Sequence, residues 1–137
     1  MKIIIKNFQN KIPVRPKRIK ELVLKVLSCE GTKKSGEITV SFISDKRIRA
    51  LNLKYLHRDE PTDVLAFDLS QGPGTLIADI VLSCDTAVRN ARIYNTTPLY
   101  ELKLYLTHGV LHLLGFDDIS PKGARLMRAK EEKYVHT

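Results

Sequence analysis

Two hydrophobic rhythms alternate along the chain. Lys2 to Phe8 (KIIIKNF) is a short β-branched run and reads as a first strand. Pro13 and Pro16 break the connection that follows. From Pro16 to about Cys29, residues Ile19, Leu22, Val23, Val26 and Leu27 recur at helical spacing, and Gly31 lies just past the end. Glu37 to Ile43 (EITVSFI) alternates polar and apolar side chains as a half-buried strand does. Ser44 and Asp45 can cap a helix running to about Leu56, with Ile48, Leu51 and Tyr55 as its apolar set. His57 to Pro61 (HRDEP) is a charged, exposed loop. Thr62 to Leu69 and Thr75 to Leu82 are two further strands joined by Ser70-Gln71-Gly72-Pro73-Gly74, which predicts a hairpin. Ser83 or Asp85 starts a helix reaching about Tyr94, and Asn95 and Thr96 link it to the segment that organises the rest.

That segment runs from Thr97 to Asp118 (TPLYELKLYLTHGVLHLLGFDD). Thr97 can cap a helix whose first residue is Pro98, and Gly115 is its natural stop. On a helical wheel Leu99, Leu102, Leu106, Val110 and Leu113 share one face, while Leu104, Leu111 and Leu114 make most of the other side apolar. Such a helix is expected in the middle of the domain. Its remaining stripe carries Glu101, Tyr105, His108 and His112, which puts two imidazoles one turn apart at the heart of the protein. Ser120-Pro121 opens a last helix through Leu126, Met127 and Tyr134. The order predicts an α+β fold: a small mixed β-sheet packed with helices, the histidine pair on a central buried helix, in one domain over residues 1–137.

Composition narrows the setting. Twenty-three basic against 15 acidic residues give a formal net charge of +8, a balance that favours polyanions such as RNA. Arg15, Lys17, Arg18, Lys20 and Lys25 crowd the first helix and its approach, as a solvated face or an RNA-facing patch. The two cysteines, Cys29 and Cys84, form no Cys-x-x-Cys pair and suit a reducing cytosol. No apolar run approaches the roughly 20 residues of a membrane span, and no secretory segment opens the chain, so a cytoplasmic protein is expected.

The histidine spacing carries the chemistry. Residues four apart on a helix stand with Cβ atoms roughly 5–6 Å apart, close enough for both rings to reach one zinc ion. A left-handed turn at Gly115 brings Asp117 or Asp118 back toward them, giving His-x-x-x-His-x-x-Gly-x-x-Asp. Three protein ligands leave a fourth position for water, the mark of a catalytic site. The metallopeptidase motif H-E-x-x-H has its general base beside the first histidine, where this chain has Gly109.

HGVLHLLGFDD resembles the signature of the bacterial YbeY family, metal-dependent endoribonucleases of ribosomal RNA maturation, with the pattern His-Gly-x-Leu-His-Leu-x-Gly-Tyr-Asp-His. Leu51 to Leu69 (LNLKYLHRDEPTDVLAFDL) resembles the family's Leu-Asn-x-x-Tyr-Arg and Pro-Thr-Asp-Val-Leu-Ser-Phe-Pro blocks, and Leu76 to Ser83 (LIADIVLS) its Gly-Asp-Ile-x-x-Ser strand. The family's third histidine falls on Asp118, the arginine after the tyrosine on Leu56, Ser-Phe-Pro on Ala66-Phe67-Asp68, and the strand glycine on Ala78.

The resemblance implies one zinc ion per chain held by His108, His112 and Asp118, and hydrolysis of phosphodiester bonds in single-stranded RNA. The substrate would be an rRNA precursor, with the ribosome as partner. It brings Asp63 and Arg58 to one end of the metal cleft, with Arg58 as the cation for the phosphoryl oxygens. Asp63 taken alone reads as a turn cap, and Asp79 as a side chain alternating out of its strand. Glu101 stands two turns before the histidines, in a helix-start or supporting role. Two other readings are a metallopeptidase-like hydrolase, which the missing glutamate disfavours, and a non-catalytic ribosome-associated RNA-binding protein with a structural metal.

Overall fold

The computed structural model describes residues 1–136. Its four strands are β1 (Lys2–Asn7), β2 (Ser35–Ile43), β3 (Val64–Asp68) and β4 (Thr75–Ser83), in the order β1-β2-β4-β3. β1 runs parallel to β2 and β2 parallel to β4, each reached by a helical crossover, while β3 and β4 form the expected antiparallel hairpin. The helices are α1 (Pro16–Cys29), α2 (Asp45–Leu56), α3 (Cys84–Tyr94), α4 (Pro98–Leu113) and α5 (Pro121–Val135). This is the mixed sheet and α+β order that the hydrophobic pattern predicts.

Local chemistry explains the helix starts. Ser44, Ser83, Thr97 and Ser120 each accept a backbone N–H in the first turn of the helix they precede, and proline opens α1, α4 and α5. Strand ends shift by one or two residues from the expectation: β2 begins at Ser35 instead of Glu37, and β3 at Val64 instead of Thr62. The Asp63 carboxylate accepts the Val64 N–H at 2.8 Å and the Thr62 hydroxyl at 3.2 Å, a turn that delays the strand.

Alternation along the strands sorts the core into two clusters. Val40, Phe42, Ile80 and Leu82 join Leu102, Leu106 and Val110 of α4 in the larger one, with Val23 and Val26 of α1 and Met127 and Tyr134 of α5. Ile43, Leu65 and Val81 point to the opposite face and pack with Ile48 of α2. Fully burying a leucine or valine side chain contributes about 1.5–3 kcal/mol, so the α4 seam is a principal source of stability. α4 touches α1, α3, α5, β3 and β4.

The burial of α4 is deep along its middle and relaxes toward its two ends. Leu99 is 40 % exposed at its first turn, and the side chains of His108 and His112 keep 24 % and 42 % of their surface. The histidines are therefore at the protein's edge, not at its heart. The stripe is buried at Glu101 and Tyr105 in the first half of α4 and opens only toward its C-terminal end, where the histidines stand. Leu126 of α5, grouped with Met127 in the pattern, is likewise exposed, while Met127 is buried.

Candidate metal centre

α4 ends at Leu113, and Gly115 takes φ +98°, a conformation that side-chain-bearing residues rarely adopt. The chain reverses there and returns Asp118 to the histidines. One Asp118 oxygen stands 3.9 Å from His108 Nε2 and the other 3.8 Å from His112 Nε2. One ligand atom from each of the three residues fits within a span of 4.8 Å. Donors of a tetrahedral zinc ion stand roughly 3.4 Å apart, so the three atoms would have to draw together by between about half an ångström and 1.4 Å to share one ion. Two imidazoles and one carboxylate suit zinc, and exposure on one side leaves room for a fourth ligand.

Asp117 has a different task. Its Oδ1 accepts the Ile119 N–H at 3.1 Å, which fixes the turn. Of the two acids left open by the spacing, Asp118 is the one that faces the rings.

Glu131, which pattern reading missed, completes the arrangement. Its Oε1 accepts the His108 Nδ1–H at 2.7 Å, leaving Nε2 toward Asp118. That hydrogen bond raises the His108 pKa above its ordinary value against the opposing effect of burial, helped by the charges of Glu131, Asp118 and Asp63. A signal was present: Met127, Glu131 and Tyr134 fall on one face of α5, and Met127 and Tyr134 are buried, so Glu131 is a carboxylate on an apolar stripe.

Gly109 settles the missing-glutamate question in physical terms. A Cβ built on it would lie 3.2 Å from Ile80 Cγ2 and 3.3 Å from Val64 Cγ2. Position 109 therefore faces the sheet, with no space for a longer side chain. The same contact brings β3, and Asp63 just before it, against α4 beside His108, and the Asp63 charge is felt there.

Arg58 lies on the loop between α2 and β3. Its side chain is exposed and makes no hydrogen bond or ion pair with the described residues. The loop itself is fastened: buried Asn52 donates from Nδ2 to the Glu60 carbonyl at 2.9 Å, and Arg49 pairs with Asp59 at 2.7 Å. Tyr105 shares the histidine stripe, its hydroxyl accepts from Asn90 at 2.8 Å, and burial raises its pKa. Glu101 is buried in the first turn of α4, where a carboxylate complements the helix dipole. Asp79 is half-buried between Phe67 and Thr39 on the neighbouring strands.

A family model described as Endoribonuclease YbeY matches residues 4–137. The chain belongs to the YbeY family. A relative named Endoribonuclease YbeY from Anaeromyxobacter sp. (strain Fw109-5) is 48 % identical, over 70 % of this chain and 51 % of its own length. Another from Anaeromyxobacter dehalogenans is 44 % identical, over 72 % and 52 %. The chain thus spans about half the length of these two. One from Desulforamulus reducens is 37 % identical over 96 % of this chain and 94 % of that protein. A Thermotoga maritima protein solved in solution matches with a TM-score of 0.68 and 29 % identity, covering 98 % of this chain and 87 % of that one. Within the YbeY frame the signature block lies on α4 and its turn, and the Leu-Asn block on α2. The Pro-Thr-Asp block leads into β3, which packs against α4, while α2 packs on the other face of the sheet.

Proposed function

We propose that this protein is a zinc-dependent, single-strand-specific endoribonuclease acting in the cytoplasm in rRNA maturation and ribosome quality control, with residues 1–137 as one catalytic domain. The observation that carries this reading is the convergence of His108, His112 and Asp118 in a chain of the YbeY family, whose relatives are named endoribonucleases. RNA is the partner that such a nuclease requires, and a net charge of +8 favours it. A ribosome-bound rRNA precursor is the proposed substrate.

His108 and His112, through Nε2, and Asp118, through its carboxylate, would hold one zinc ion. A zinc ion bound there supplies Lewis-acid chemistry, polarising a phosphoryl oxygen and making a water more acidic. Glu131 fixes the His108 tautomer and ring orientation, so that Nε2 carries the lone pair. Arg58 is offered from its fastened loop to the charge developing on the phosphoryl oxygens. Because position 109 holds no carboxylate and faces the sheet, it supplies no general base, which leaves metal-bound hydroxide alone or a phosphate oxygen of the substrate to take that part. The same geometry weighs against a peptidase, which needs a base at that place.

The test is substrate choice. Zinc-replete protein should cut a single-stranded rRNA fragment and leave both its duplex and casein intact. Binding of the fragment without cleavage would replace this reading by a non-catalytic RNA-binding protein, and cleavage of casein by a peptidase.

A further inference from the structure

Away from the metal centre, α1 and the first turns of α4 enclose a groove of about 660 Å³. Its lining includes the side chains of Ile12, Ile19, Leu22, Pro98 and Leu99, all aliphatic. Around them stand Lys11, Arg15, Arg18, Lys25 and Lys103, against one acid, Glu21. Lys11 is paired with Asp85, and Arg18 with Glu21 at 3.9 Å. Arg15, Lys25 and Lys103 have no ion pair or side-chain hydrogen bond among the described residues. The groove sets an aliphatic floor, to which Leu99, 40 % exposed, presents the most open side chain, beside three uncommitted cations. Leu99 precedes His108 by nine residues, about two and a half helical turns, so the groove and the metal centre lie on opposite sides of α4 and about 14 Å apart along it.

We propose that this groove docks an acidic amphipathic helix of a partner protein. The walls are α1, the loop that leads into it and α4, and no strand edge lines them, so an incoming segment finds no backbone ladder and must satisfy its own amides, as a helix does. The aliphatic floor takes the leucine-type face of that helix, and Arg15, Lys25 and Lys103 face its carboxylates. RNA is the poorer occupant. No aromatic ring lines the groove to stack a base, and seating bases on aliphatic side chains would leave their polar edges without partners. The position behind α4 lets a partner bind while the histidine side stays open, independently of what the metal centre does.

The test uses the full isotope-labelled chain and three probes, followed by backbone amide signals. The first is a designed peptide of about 15 residues, the length of α1, with leucines on one helical face and glutamates elsewhere. The second is its scrambled isomer with the same charge and no apolar face, and the third a single-stranded RNA oligonucleotide. The first peptide should move the signals of Ile12, Leu22 and Leu99 and leave Gly109 to Gly115 in place. Arg15→Glu with Lys103→Glu, both on the rim, should weaken it about tenfold, and Leu99→Glu should do the same by spoiling the floor. The proposal is overturned if the scrambled peptide binds as well as the first, if neither peptide moves those signals, or if the oligonucleotide occupies the groove in their place.

Discussion

Glu131 of α5 accepts a hydrogen bond from His108 Nδ1 of α4 at 2.7 Å, across 23 residues of chain. The contact ties the last helix to the histidine pair. Removing the carboxylate frees the imidazole to rotate and to exchange tautomers. Glu131→Ala should lower zinc affinity by roughly 10–100-fold, while Glu131→Gln, which can still accept the hydrogen bond, should lose less. Zinc titration against a competing chelator measures both. Equal affinity in all three proteins would mean that Glu131 does not position the ring.

The raised His108 pKa gives opposite pH slopes to the empty and loaded protein. In metal-free protein the folded value lies above the ordinary imidazole value of about 6.5. The stabilisation from the His108–Glu131 pair is therefore complete below that value and lost as pH rises through the folded one. Zinc competes with the same proton, so its affinity should rise over that range. Melting temperature against pH, with and without zinc, tests the crossing, and parallel profiles would contradict it.

Asp117 and Asp118 separate a turn from a ligand. Asp118→Ala should weaken zinc binding. Asp117→Ala should keep the metal and lose about 1 kcal/mol of stability with the Ile119 hydrogen bond. Asp118→His adds a third imidazole, removes a negative charge that moderates the ion, and should raise RNA cleavage near neutral pH. Loss of metal from Asp117→Ala with retention in Asp118→Ala would assign the ligand to the other acid.

Period and punctuation made most of the fold legible. β1, the hairpin and all five helices fall where strand-like alternation, capping serines and threonines and opening prolines put them, because these signals are local. The histidine pair and the turn at Gly115 were readable for the same reason. Glu131, the fastening of the Arg58 loop by Asn52 and the direction of Gly109 were not, since each depends on what another element brings alongside. The wheel showed which sides of α4 are apolar, but it could not say which side meets the sheet. Nor could it say that the stripe is covered at Glu101 and Tyr105 and left open at the histidines.

Gly109 offers a packing test. Gly109→Ala gains roughly 1 kcal/mol of helix propensity and sets it against contacts of 3.2 and 3.3 Å with Ile80 and Val64, so the net change should be small. Gly109→Glu, which would recreate the peptidase motif, has to bury an unpaired carboxylate against the sheet and should cost more than about 3 kcal/mol. Thermal melts decide. A stable Gly109→Glu protein with casein-cleaving activity would contradict the packing described here.

A second carboxylate sets acid sensitivity. Burial pushes the Asp45 pKa up, but hydrogen bonds from Ser83, Thr86 and Arg89 and the Arg89 charge outweigh it and hold the group below its ordinary value. A depressed folded pKa gives stability that is present above the unfolded value and lost as pH falls through the folded one. Asp45→Asn should therefore lower the melting temperature near neutral pH and flatten its fall in acid. An unchanged acid limb would show that Asp45 is not the titrating group.

The central claim is that His108, His112 and Asp118 hold the metal on which RNA cleavage depends. Its most direct test is cleavage of single-stranded RNA by chelator-stripped protein as zinc is added back. Activity should be absent at the start, rise with zinc and saturate near one ion per chain, while His112→Ala stays inactive throughout. Full cleavage by the stripped protein, or by His112→Ala, would contradict the account.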